Sequence, residues 1–163
     1  MVRQDDREDI AAERRAIRVV LRLMDLELAR CGRQARIPQT PFLAERRSAA
    51  ESRELWIRLL AFLHQHLKRH FELEERGGVL GEYGVYNAGT YRHASQLSNQ
   101  HRKFVKALER MLDELEGNHI EGARVPDFFE PELRTLFADL DRHEAMELEL
   151  VQALANQDLG CGD

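Results

Sequence analysis

Five residues whose types suit metal coordination recur at helical spacing along this chain. His70 and Glu74 lie four positions apart, as do His143 and Glu147, while His101 stands alone between the two pairs. Four residues advance an α-helix by about 6 Å and turn it only some 40° past a full circle. Each histidine and its glutamate therefore project to one side, one turn apart. In every case the polar residue falls where an apolar one is due. Leu63 and Leu67 lead into His70, Leu97 and Phe104 flank His101, and Leu136 and Leu140 precede His143, with Leu150 after Glu147. Burying carboxylates and imidazoles in an apolar interior costs several kcal/mol per ionised group unless something compensates. A divalent or trivalent cation is the natural compensation, and imidazole and carboxylate ligands without thiolates suit iron, manganese or zinc. Two His-x-x-x-Glu units from different helices, with a histidine from a third, make a compact dinuclear pocket of the kind helical bundles build.

The plainer reading is three separate histidines satisfied by hydrogen bonds and two surface glutamates in i,i+4 ion pairs. Neither glutamate has a basic partner four residues on: Glu74 faces Gly78 and Glu147 faces Val151. His66, four residues before His70, is placed above the pocket or at its rim, His93 near a loop and His119 in solvent. Tyr83, Tyr86 and Tyr91 are expected to cover the irregular loop from Val79 to about Thr90, which holds Gly81, Gly84 and Gly89. The His143-Glu144 pair is not a zinc-protease motif, which needs a second histidine where Glu147 stands.

These residues must be held by helices. Apolar periodicity marks four segments at about 8–31, 49–76, 91–116 and 131–155, separated by Gly32, Pro38 and Pro41, by Gly77 and Gly78, and by Gly117 and Pro126. Pro131 suits a first helical turn. Strand signals are absent. Four such helices with moderate connections predict an all-α, antiparallel four-helix bundle, one domain over residues 1–163.

Composition narrows the function. Hydrophobic residues make up 43% and charged residues 33%, a mix suited to a soluble helical protein. The net charge of -5 is spread along the chain, with no basic stripe for nucleic acid. No apolar run approaches the roughly 20 residues of a membrane span, and Arg3, Asp5, Asp6 and Arg7 do not suit a secretory signal. The expected compartment is the cytoplasm, with Cys31 and Cys161 as reduced thiols.

His70-Phe71 with Glu74-Glu75, then Gln100-His101, then His143-Glu144 with Glu147 resemble the hemerythrin-like (HHE cation-binding) domain over nearly the whole chain. The resemblance implies a non-haem di-iron centre with His70, His101 and His143 as terminal ligands and Glu74 and Glu147 bridging. It implies a protein that binds or senses O2 or another small redox ligand, with Leu63, Leu67, Leu97, Phe104 and Leu140 excluding water. The same pocket in an enzyme would oxidise iron, reduce peroxide or turn over nitric oxide; without metal the bundle would be a structural or interaction module. Two positions depart from the family. Its usual helix-one histidine aligns with Arg14 of Glu13-Arg14-Arg15, and a second helix-three histidine aligns with Leu97. One metal then lacks nitrogen ligands; Glu13, Glu75, His66 or water could complete it, or the site holds one metal or none.

Overall fold

The computed structural model describes residues 4–36, 49–77, 80, 88–117 and 125–159. They form four helices: α1 (Gln4–Arg36), α2 (Ala49–Gly77), α3 (Ala88–Glu116) and α4 (Val125–Leu159). The architecture is the expected four-helix bundle, with no strand among the described residues.

The buried positions explain the arrangement. On α3 they are Thr90, Ala94, Leu97, His101, Phe104, Leu108, Met111 and Leu115, alternating by four and three. On α4 the same alternation runs through Phe129, Leu133, Leu136, Leu140, His143, Glu147, Leu150 and Leu154. A 3.5-residue repeat keeps one seam of each helix facing its neighbours. The histidines and glutamates are thus members of the seam, not additions to it. Arg53 near the start of α2 ties down the end of α3: its Nε donates to the Leu115 carbonyl at 2.7 Å and its Nη2 to that of Glu116 at 3.1 Å. Gly117 closes the same helix by donating to the Asp113 carbonyl at 2.9 Å. The start of α2 therefore lies beside the end of α3, as antiparallel neighbours require.

The main core gathers Met24, Leu28, Trp56, Leu60, Leu63, Leu108, Met111, Phe129 and Leu133. A smaller cluster of Leu97, Leu150 and Leu154 fills the other end, with Leu80 and Met146 packed against it. Between the two lies the layer of His70, Glu74, His101, His143 and Glu147.

The helices run longer than the periodicity suggests. α1 begins at Gln4, with Asp5 and Asp6 in its first turn beside the positive end of the helix dipole. It continues through Gly32, whose cost of about 1 kcal/mol a long helix absorbs. α3 begins at Ala88 rather than near Tyr91. The larger correction concerns α4, which begins at Val125, so that Pro131 lies inside the helix instead of opening it. Pro126 takes the first-turn role, where no amide donor is required. Phe129 and Leu133, buried on either side of Pro131, hold that segment in the helix although one backbone hydrogen bond is lost. Tyr83, Tyr86, His119 and Cys161 lie outside the described residues.

Leu108 has no exposed surface. Leu108→Ala should lower the free energy of unfolding by about 2–5 kcal/mol through the cavity it leaves. Leu26→Ala, at a position 63% exposed, should change it by no more than about 0.5 kcal/mol. Urea denaturation of the two variants measures both, and equal costs would contradict this packing.

Candidate metal centre

The site is assembled from one side of each helix. α2 contributes His70, Phe71, Glu74 and Glu75; α3 contributes Gln100 and His101; α4 contributes His143 and Glu147; and α1 contributes Arg14. His70, Glu74, His101, His143 and Glu147 are all buried, each at most 4% exposed. Their ligand-capable atoms form two overlapping groups, Glu74 with His101 and His143, and His70 with Glu74 and Glu147, the atoms of each group within 4.8 Å of one another. Glu74 is common to both.

The hydrogen bonds orient the imidazoles. His101 Nδ1 donates to Glu75 Oε1 at 2.9 Å, and Ser98 Oγ donates to the same oxygen at 2.8 Å. His143 Nδ1 donates to Gln100 Oε1 at 2.8 Å, while the Gln100 amide nitrogen lies 3.6 Å from Met146 Sδ. With Nδ1 of both rings committed as donors, each neutral ring presents an Nε2 lone pair inward. Those two Nε2 atoms are 3.1 Å apart, and Glu74 Oε2 is 3.6 Å from that of His101. Glu74 Oε2 has no hydrogen-bond partner. Three lone-pair atoms thus converge with no proton between the rings, an arrangement that a bound cation relieves. Phe71 stacks on His101 with ring centres 3.9 Å apart, fixing that ring from its face.

The second group is held differently. His70 Nε2 lies 2.8 Å from Glu74 Oε1. Arg14 reaches in from α1, its Nη2 donating to Glu74 Oε1 at 3.1 Å and to Glu147 Oε2 at 2.7 Å. Burial sets the charge states. It pushes His70 and His101 down to about 4 and His143 to about 3, so all three rings are neutral at pH 7. The His70–Glu74 contact is therefore a close approach of a neutral ring to the carboxyl rather than an ion pair. Burial raises the Glu74 carboxyl, and burial together with the neighbouring Glu74 pushes Glu147 up to about 9. Burial opposes the charge on Arg14, but Glu147 and Glu74 outweigh it and hold the guanidinium firmly protonated.

The accessory positions fall outside the cluster. Glu13 turns away to His66 Nδ1, 2.5 Å distant, and to Arg69 Nε at 3.0 Å. His66 is at the rim, and Glu75 lies behind His101 as its hydrogen-bond acceptor. His93 and Tyr91 are exposed. Three contributors escaped the spacing argument: Arg14, Gln100 as the partner of His143, and Phe71 as the stacking ring. A signal for Arg14 existed, since Ile10, Arg14 and Ile17 repeat at four and three, the interval of the buried seam.

A crevice of about 280 Å³ between α1, α2 and α4 leads to His70 and His143, past Ile17, Leu67, Leu140 and the rim residues Arg18 and Glu144. A larger groove of about 660 Å³ between α3 and α4 touches Gln100 but none of the five clustered residues.

The model of one family, the hemerythrin HHE cation binding domain, matches residues 39–155. The chain belongs to this family. The match takes in α2, α3 and α4 as far as residue 155, with His70, Glu74, His101, His143 and Glu147, and begins beyond α1 and Arg14. No curated protein and no solved structure matches the chain.

The pH dependence of the metal-free protein follows from these charge states. Unfolded histidines take up protons below about 6.5, whereas the buried rings resist protonation down to about 4 or 3. The unfolded state then binds more protons, and stability falls as pH drops from 6.5 toward 4. Glu147, whose folded value is raised, adds the opposite slope: its contribution is present below the unfolded 4.5 and lost as pH rises through about 9. The raised Glu74 carboxyl acts in the same sense as Glu147, and the three rings outweigh the two carboxyls on the acid side. Chelator-treated protein should melt at a lower temperature at pH 5 than at pH 7, and calorimetry showing the reverse order would contradict neutral buried imidazoles.

Proposed function

We propose that this protein is a non-haem iron protein that binds or senses O2 or another small redox-active ligand, the whole chain forming one hemerythrin-like domain. The observation that carries the reading is the inward convergence of His101 Nε2, His143 Nε2 and Glu74 Oε2 in a buried layer, with both Nδ1 atoms tied to acceptors behind them. Nitrogen and oxygen donors without a thiolate suit iron, and membership of a cation-binding family points the same way.

Iron held here would supply reversible electron exchange with a small ligand. The protein's own part is threefold. Glu75 and Gln100 hold the tautomers of His101 and His143 so that Nε2 faces inward. Leu63, Leu67, Leu97, Phe104 and Leu140 keep water from the layer. The crevice past Arg18 and Glu144 gives a path for a ligand of a few atoms. Binding is favoured over multi-turnover oxidation chemistry because the layer is closed between two apolar clusters and the crevice that reaches it is narrow. How many ions the layer takes turns on Arg14. No helix among the described residues is long and apolar enough to cross a membrane.

Anaerobic reconstitution with ferrous iron should yield protein-bound iron and a higher melting temperature, with a new visible absorption band after O2 is admitted. His143→Ala should remove all three. A chelator-insensitive melting temperature together with no retained iron would sink the reading in favour of a metal-free module. Glu75→Ala, which frees the His101 ring behind the ligand nitrogen, should weaken iron affinity by roughly 10- to 100-fold, read by competition with a coloured chelator.

A further inference from the structure

The two ligand groups are not equivalent. The group of His70, Glu74 and Glu147 already contains a positive charge, because Arg14 Nη2 lies within hydrogen-bond distance of both carboxyls. The guanidinium is held there by more than a surface contact. Although its side chain is 35% exposed, it bonds both acids at once, and α1, which carries it, is anchored in the main core by Ile17, Val20 and Met24. In the group of Glu74, His101 and His143, neither imidazole makes a hydrogen bond or ion pair to a lysine or arginine among the described residues, and Arg14 reaches only Glu74 Oε1, leaving Oε2 without a hydrogen-bond partner.

We infer that Arg14 is the built-in second cation of this site, replacing one metal of a pair, so that the chain takes up a single ion at Glu74, His101 and His143. The inference rests on the iron-binding reading above and fixes its stoichiometry. Three physical arguments support it. Arg14 Nη2 takes up one oxygen of each acid in the second group, Glu74 Oε1 and Glu147 Oε2, leaving Glu147 Oε1 and His70 Nδ1 without hydrogen-bond partners there, while Glu74 Oε2 stays turned to His101. The charge balance also favours one ion. Even with both Glu74 and Glu147 ionised, one divalent ion and the guanidinium set three positive charges against two negative ones, whereas a second divalent ion would set five against two in a buried layer. Finally, a guanidinium cannot be deprotonated to make room as a histidine can. Glu147 then serves chiefly to hold Arg14, and Glu74 is the shared acid that faces the guanidinium with one oxygen and the metal with the other.

The test is the number of irons retained per chain after anaerobic loading with ferrous ion alone and desalting, counted by mass spectrometry of the metal. Wild-type protein should retain one, and Arg14→His and Arg14→Gln should each rise toward two. His143→Ala should retain none, while His70→Ala should still retain one. Two ions in the wild type, or one in the wild type and in both folded Arg14 variants, would overturn the inference while leaving iron binding intact. Loss of the ion in His70→Ala but not in His143→Ala would overturn it as well. No iron in any of these proteins would remove the iron reading itself. Far-ultraviolet circular dichroism shows whether the Arg14 variants fold. If they do not, the wild-type count decides, one ion supporting the assignment and two ending it.

Discussion

Burying ionisable groups in a helical bundle is costly unless their charges and lone pairs are matched, and this bundle buries five of them in one layer. The match is made in two ways. On one side, a guanidinium from α1 lies between the carboxyls of Glu74 and Glu147. On the other, two imidazole nitrogens and a carboxylate oxygen face one another and call for a cation from outside. The neutral state of all three rings follows from the same burial that makes the layer expensive.

The surroundings serve that layer. Main core and end cluster enclose it above and below, so its members are shielded from water along the bundle axis. Behind the rings, Glu75, Ser98 and Gln100 accept or support the outward nitrogens, and Phe71 closes one face of His101. Such supports set which nitrogen is available and hold it in place. Glu13 has been drawn off by His66 and Arg69, and this separation leaves Arg14 as the α1 residue that enters the layer.

The family explains the three later helices better than the first. The matched stretch begins at residue 39, and the residue that distinguishes this site lies before it on α1. A histidine there would offer one more neutral donor; an arginine brings a permanent charge and no lone pair. A single residue type therefore alters the electrostatics of the pocket without changing the bundle.

Much of this was legible in the chain itself. Apolar residues spaced by four and three require helices, and histidines and glutamates at the same interval had to lie on the buried seam, because local periodicity fixes the face on which a side chain projects. Helix ends were less legible: Pro131 is compatible with a first turn, and only the packing of Phe129 and Leu133 carries α4 back to Val125. What spacing cannot supply is the partner across a helix interface. Arg14 is sixty residues from Glu74 and more than twice that from Glu147. Whether its guanidinium points out to water or in between two acids is decided by how α1 lies against α2 and α4. The same holds for the facing Nε2 atoms of His101 and His143, whose orientation depends on acceptors contributed by α2 and α3. Sequence periodicity selected which residues would be buried; the tertiary arrangement decided which charges meet there.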